Sequence, residues 1–161
     1  MAMIELKLLI LVIIANGTPL LGTVLFGQLF AHPLDHGLKL SDGKRLFGSH
    51  VTVRGVVLAI AVTTLTAQLS GVPAADGAII ACAAMAGDAL SSLIKRRMDI
   101  QPGGMAVGLD QIPESFLPLL AMAGSYNLSL PIILALCTVF LLFDLLVSRL
   151  LYHYRWRSRP Y

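Results

Sequence analysis

The chain has 161 residues, of which 57% are hydrophobic and 13% charged, and its mean hydropathy is +0.80. A soluble domain carries about 45–50% apolar and about 25% charged residues, so this composition excludes a disordered tail, a disulfide scaffold and a soluble globular enzyme. The formal charge of +3 reports topology first, because the basic residues flank apolar runs, and it does not mark a nucleic-acid partner.

The apolar runs predict an all-α integral membrane protein of one polytopic domain, residues 1–161, with about five transmembrane helices. The first span is expected over residues 6–30. It lacks a basic leader and carries Asn16, Gly17, Pro19 and Gly22, so it reads as a retained span, kinked at Pro19, rather than a signal peptide. A loop follows over residues 31–53, then spans over 54–71 and 77–94, separated by Gly71-Val72-Pro73. A second loop over 95–111 leads to a short span over 112–126 and a last one over 130–151. Cys82 and Cys137 fall inside apolar runs without ligand spacing and read as packing residues.

Of the twelve Lys and Arg, only Lys7 lies at the N-terminal end. Lys39, Lys44, Arg45 and Arg54 fall in or beside the first loop, Lys95, Arg96 and Arg97 in the second, and Arg149, Arg155, Arg157 and Arg159 at the C-terminal end. In a five-span chain these three segments share one side. The positive-inside bias then places the N-terminus outside, both loops and the C-terminus in the cytoplasm, and the protein in the cell (inner) membrane with its functional side cytoplasmic. Tyr152, Tyr154 and Trp156, with Arg155, Arg157 and Arg159, read as an interfacial anchor.

Asp88 is the most informative residue. A charge inside an apolar span is costly unless paired or hydrated, and marks function. Asp88, Ser91, Ser92 and Lys95 recur at helical spacing on one face. That polar stripe descends about 10 Å from Lys95 to Asp88 at 1.5 Å per residue. Ala81 and Ala84 extend the face with small side chains that admit a neighbouring helix. Asp110 closes a Gly-rich loop and returns a second carboxylate to the same mouth, so Asp88 and Asp110 are candidate ligands for Mg²⁺, which takes one or two carboxylates plus substrate phosphates. The alternative for Asp110 is a solvated loop residue. Glu114 is a further candidate, or a helix-terminal acid. Asp144 is expected to pair with a basic loop residue. Asn16 reads as an interhelical hydrogen-bond donor. His32 and His36 bracket Pro33 and do not form a helical zinc pair. The first loop interleaves glycines with Lys44, Arg45 and Arg54, which suits phosphate binding, or simply a positive loop at an anionic membrane surface; it is not a Walker A loop.

Several motifs occur in order: Asn16-Gly17-Thr18-Pro19, Pro33-Leu34-Asp35, Asp42-Gly43-Lys44-Arg45-Leu46-Phe47-Gly48, Arg54-Gly55, Gly87-Asp88, Ser91-Ser92-Leu93-Ile94-Lys95-Arg96-Arg97 and Asp110-Gln111-Ile112-Pro113-Glu114. Together they resemble the CDP-archaeol synthase family, which is related to the CDP-diacylglycerol synthases (phosphatidate cytidylyltransferases). The resemblance implies a five-span, Mg²⁺-dependent transferase of phospholipid biosynthesis. Its partners would be CTP and a membrane lipid phosphate, either an archaeal-type ether glycerophosphate or a phosphatidate-like lipid. The products would be a CDP-lipid and pyrophosphate. On that reading Asp88, Asp110 and Lys95 form the catalytic set, with Asp88 and Asp110 on the metal. Asp42, Lys44, Arg45, Arg54 and Arg96 bind nucleotide phosphates. Asn16, Ser91 and Ser92 lie on the lipid side.

The sequence departs from the family pattern at three places. Val51 stands where lysine is usual, Val53 where tryptophan is usual, and Gln111 where the related synthases carry a basic residue. The pattern of a CDP-alcohol phosphotransferase is absent, since Asp42-Gly43 leads into Lys44-Arg45-Leu46. Two other classes share the apolar pattern: a small transporter, for which no internal repeat is found, and a nucleotide- or lipid-binding membrane protein without turnover.

Overall fold

A computed structural model describes residues 2–101, 104 and 106–153. The expected anchor residues Tyr154, Arg155, Trp156, Arg157 and Arg159 lie outside the described residues, whereas Tyr152 is described and exposed. Six helices follow one another: α1 (Ala2–Phe26), α2 (Val53–Leu69), α3 (Ala74–Arg97), α4 (Gln111–Ala121), α5 (Ala123–Tyr126) and α6 (Leu130–His153). Among the described residues there is no strand, only isolated bridges joining Pro33 to Thr52 and Lys39 to Arg45 in the first loop.

Helix ends follow local chemistry. α1 stops at Phe26 rather than residue 30, because Gly27 takes a left-handed φ of +55° and turns the chain. At the start of α2, the Thr52 hydroxyl accepts the Gly55 N–H at 3.1 Å. α3 runs on through Lys95, Arg96 and Arg97, which the sequence reading had assigned to a loop; cations complement the negative end of a helix. The expected fourth span is two pieces. α4 has 11 residues and is therefore about 16 Å long, roughly half a hydrocarbon thickness.

α1, α3 and α6 each contain a stretch long and apolar enough to cross a membrane, while apolar α2 is shorter at 17 residues. Only 17% of the most apolar window of α6 is buried. Its inward stripe is Ile133, Cys137, Phe140 and Ser148, and Leu134, Val139, Leu142, Leu146 and Leu150 face outward. Such a broad apolar surface suits lipid, not water. Cys82, expected to pack, is exposed; Cys137 is buried.

Contacts between the end of one helix and the start of the next make α1, α2, α3, α4 and α6 alternate in direction, so the bundle has two ends. At one, Lys7 Nζ donates to the Ser70 carbonyl at 2.7 Å and the Tyr126 hydroxyl donates to Asp76 at 2.5 Å. The other end gathers both loops. Packing differs between them. Towards the first end, Leu8, Leu11, Val12, Ile80, Leu119 and Met122 form a bulky core. Towards the loop end, Ala15, Ala59, Ala81, Ala84 and Met85 form a core of mostly small side chains. On α2 the buried positions are Gly55, Ala59, Thr63 and Ala67, one every four residues. Small stripes let helix backbones meet where lipid supplies no hydrophobic drive. A Cβ on Gly77 would lie 2.5 Å from Ala67 Cβ, and one on Gly87 would lie 2.4 Å from the Pro113 carbonyl oxygen. The second contact brings α3 directly onto the first turn of α4.

Gly87→Ala is therefore expected to destabilise the protein by about 1–3 kcal/mol through overpacking, despite the better helix propensity of alanine. Gly17→Ala, where a Cβ meets nothing within 4 Å, is the control and should not lower stability. Thermal unfolding in detergent checks this, and equal midpoints for the two variants would mean that α3 and α4 are not in backbone contact at Gly87.

Candidate active site

The first loop folds around one carboxylate. The Asp35 side chain is fully buried and accepts from the backbone N–H groups of Gly37 (2.9 Å), Phe47 (3.2 Å) and Gly48 (2.9 Å), and from Arg45 Nη2 (2.5 Å). Burial works against the charge, but the Arg45 guanidinium and the three N–H groups outweigh it and hold the Asp35 pKa well below the usual carboxylate range. Asp35 belongs to a motif noted in the sequence but was given no role there. The available signal was an aspartate between Pro33 and Gly37, a turn-forming arrangement.

The folded loop is laid on the end of α3. Lys44 pairs with Asp99 at 2.6 Å and donates to the Arg97 carbonyl at 3.3 Å. Arg97 pairs with Asp42 and donates to the Arg45 carbonyl at 2.6 Å. The Lys44 N–H, and then the Arg97 charge, lower the Asp42 pKa. Arg54 donates to the carbonyls of Gly27 (3.0 Å) and Leu29 (2.5 Å), closing the turn after α1. Four of the five residues expected to hold nucleotide phosphates, Asp42, Lys44, Arg45 and Arg54, are thus engaged within the protein. Arg96 differs. It is 8% exposed, lies against Gly48, and its guanidinium meets no acceptor among the described residues.

α3 carries the expected polar stripe, with a division along it. Ser91 is fully buried and donates to the Asp88 carbonyl at 2.9 Å, and Ser92 is also buried, so neither faces lipid. Lys95 pairs with Asp110 at 2.7 Å and lies 3.3 Å from the Gly104 carbonyl. Asp110 also accepts the Ala106 N–H at 3.0 Å, which closes the second loop on itself. Of that loop's Gly-rich stretch, Pro102, Gly103 and Met105 lie outside the described residues. Asn16 donates to the carbonyls of Val12 (3.0 Å) and Glu114 (3.4 Å), tying α1 to α4 as an interhelical donor. Asp144 does not form the expected ion pair; it accepts from the Gln111 amide at 2.8 Å, while Gln111 Oε1 accepts the Gly108 N–H at 2.9 Å. The buried neutral amide replaces a cation here, because one Gln both donates to α6 and accepts from the loop.

Asp88 itself has no hydrogen-bond or ion-pair partner for its carboxylate among the described residues. It lines a small open cleft with Pro19, His50, Val51, Thr52 and Met85, between the first loop and the bundle. The charges of Lys95 and Asp110 act on it, and those of Asp88, Asp110, Asp144 and Lys95 act on Glu114. His50 at the cleft is exposed; partial burial of its ring, then the charges of Arg96 and Lys95, lower its pKa below the usual histidine value. Among the described residues no three Asp, Glu, His or Cys side chains converge as a ready-made metal cage. An unpartnered carboxylate with a second one nearby still matches the sparse protein ligation of Mg²⁺, which keeps most of its sites for water and phosphate oxygens.

A CarS-like profile, described as CDP-archaeol synthase, matches residues 1–77 and 74–161. The chain belongs to the CDP-archaeol synthase family. It is similar to the CDP-archaeol synthase of Methanopyrus kandleri, 41% identical over 98 residues that cover 57% of this chain and 56% of that protein. Its similarity to the CDP-archaeol synthase of Pyrobaculum calidifontis is 33% identity over 127 residues, covering 76% of this chain and 75% of that one. A solved structure described as an intramembrane enzyme for archaeal membrane lipids biosynthesis aligns with a TM-score of 0.73 and 31% identity, over 88% of this chain and 90% of that chain. The motifs that carry the CDP-archaeol synthase resemblance are scattered from Asn16 to Glu114, and the fold gathers most of them at the loop end of the bundle.

Because the folded-state pKa of Asp35 lies below its unfolded value of about 3.9, its contribution is complete above that value and is lost only as pH falls towards the folded one. The first loop should therefore stay closed at pH 4. Asp35→Asn removes hydrogen bonds to a charged group worth about 1.5–3 kcal/mol each, so the loop should open at least about tenfold more often at neutral pH. Tryptic cleavage at exposed Lys39 reads this directly, and an unchanged rate in the variant would refute the hub role.

Proposed function

We propose that this chain is a CTP-dependent cytidylyltransferase that passes CMP to a membrane lipid phosphate, an archaeal-type ether glycerophosphate or a phosphatidate-like lipid. It yields a CDP-lipid and pyrophosphate. The observation that carries the reading is a pair of unsatisfied opposite charges at the loop end of α3: the Asp88 carboxylate, which lines the cleft, and the Arg96 guanidinium, which lies against the first loop at Gly48, neither with a protein partner among the described residues. Buried ions left without partners are costly, and a phosphate ligand with its counter-cation satisfies both.

In this reading an oxygen of the lipid phosphate attacks the α-phosphorus of CTP. The new P–O bond forms as the α–β anhydride bond breaks, and the electron pair leaves with pyrophosphate. The protein has little covalent work to do; it aligns the reactants and neutralises charge. Arg96 binds triphosphate oxygens. Lys95, held by Asp110, sits beside the reacting phosphates, and Arg45 and Lys44 act mainly by fixing the loop. Asp88 and Asp110 would hold Mg²⁺, whose bound charge would lower the repulsion between the two phosphate groups. The lipid chains stay in the bilayer beside α1, with Asn16 fixing α1 against α4 at that side. The same reading takes five passes through the membrane, α4 and α5 together forming the fourth. It places the N-terminus outside and the loop end in the cytoplasm, where CTP is found. The clustering of Lys and Arg at the loop end supports this orientation.

One observation favours a second reading, a protein that binds nucleotide without turning it over. Val51, at the usual lysine position, is buried at 4% exposure in the cleft wall. Pyrophosphate release from CTP by purified protein in detergent, with Mg²⁺ and a panel of lipid phosphates, separates the two. Lipid-dependent release supports the transferase; CTP binding without release with any lipid supports the second. Asp88→Asn is expected to lower turnover by at least about 10²-fold, the scale of losing one electrostatic stabiliser, while the protein still inserts and unfolds at a similar temperature. Wild-type turnover in that variant would overturn the role of Asp88.

A further inference from the structure

We propose that His50 is a further substrate-contacting residue, donating a hydrogen bond from its imidazole to a phosphate of the nucleotide at the mouth of the Asp88 cleft. The inference rests on the cytidylyltransferase reading and adds to it a residue outside the expected phosphate set. Four observations lead to it. First, His50 and Asp88 line the same cleft, and His50 is exposed there. Second, Lys44, Arg45 and Arg54 of the first loop are engaged within the protein, by Asp99, Asp35 and the carbonyls after α1, and exposed Lys39 does not line the cleft. Third, Val51 offers the cleft only an apolar side chain, and its backbone carbonyl is taken by the Leu34 N–H at 2.8 Å. Fourth, Thr52, the other polar side chain that this loop gives the cleft, is held at the cap of α2, where its hydroxyl accepts the Gly55 N–H. Among the described residues, His50 is therefore the exposed side chain on the loop wall of the cleft that has a donor and no protein partner.

Its surroundings fit an anion. Arg96 and Lys95 lie close enough for their charges to act on His50. The cleft also opens at the start of α2, the end of a helix that favours negative charge. A neutral imidazole has one N–H to give. The segment around His50 is fixed on both sides, before it by the Phe47 and Gly48 N–H groups on Asp35, and after it by the Val51 carbonyl and the Val53 N–H, which donates to the His32 carbonyl at 2.9 Å. The ring therefore presents its donor from an ordered backbone, and the loss of a lysine from the loop wall at Val51 is met by the residue beside it.

The test compares full-length wild type, His50→Ala and His50→Gln, purified in detergent, for CTP affinity and for steady-state turnover. Loss of the contact should raise both the Kd and the KM for CTP about tenfold, or about 1.4 kcal/mol, with kcat within about twofold and the KM for the lipid phosphate unchanged. The Gln variant, which keeps a donor, should recover most of the affinity. A merely structural role would change lipid KM, kcat and the unfolding midpoint together. If His50→Ala does not fold, His50→Phe fills the space of the ring without a donor and carries the same comparison. Unchanged CTP affinity in a folded donorless variant, beside a wild type that binds CTP, would overturn the inference and leave the transferase reading standing. A wild type that binds neither CTP nor pyrophosphate would overturn both.

Discussion

The backbone of α3 lies against the first turn of α4 at Gly87, where even a methyl group would collide with the Pro113 carbonyl. Lipid offers little hydrophobic reason for two helices to associate, so close packing of small residues has to supply it. The same contact fixes the functional geometry, because Asp88 is the next residue. With α4 held this close, Asp110 comes back to Lys95 at 2.7 Å and the Glu114 carboxylate enters the field of Asp88. α2 completes the arrangement from the other side through Gly77 and the stripe of Gly55, Ala59, Thr63 and Ala67. Bulky residues are kept for the opposite end of the bundle, where Leu8, Leu11, Leu119 and Met122 form a core without a site.

Charged residues at the loop end divide into two groups. Lys44, Arg45, Arg97 and Arg54 bind protein acceptors and turn an irregular loop into a defined wall. Partly exposed pairs of this kind contribute little stability each, and what they specify is register: which stretch of the first loop lies over α3. Asp35 is the exception, since its buried carboxylate satisfies three backbone N–H groups that a loop would otherwise leave to solvent. Arg96 and Asp88 form the second group, whose charged groups have no protein partner among the described residues.

Much of this was legible in the sequence. Apolar length gave the long helices, and the i, i+3, i+4, i+7 spacing put Asp88, Ser91, Ser92 and Lys95 on one helix. The limits are physical. Periodicity says which side chains share a face, but not how far that face rotates into a neighbour, so the burial of Ser91 and Ser92 could not be read from their spacing. Basic residues near glycines resemble a phosphate grip whether or not a carboxylate lies opposite. Only folding reveals that Lys44 meets Asp99 and Arg45 meets Asp35. Asp144 shows the same limit, since its partner Gln111 is neutral and 33 residues away. The end of α1 was missed because an apolar run continues past Gly27, and hydropathy is blind to a positive φ.

The charge balance around Asp88 carries a consequence for how substrates arrive. Asp88, Asp110 and Asp144 all lie within electrostatic range of Glu114, Asp110 also acts on Asp88, and Lys95 is the cation that acts on both Asp88 and Glu114. On simple charge counting this pocket repels a triphosphate, while the cations at its edge, Arg96 and Lys95, attract one. A nucleotide entering with a divalent cation presents each side with its complement: the metal to the carboxylates and the phosphates to the basic wall. In the proposed cytidylyltransferase reading, an acidic floor and a basic rim would thus favour the metal–nucleotide complex over either component alone. On the same proposal, a lipid phosphate approaching from the bilayer beside α1 would then meet a centre whose repulsion had already been reduced.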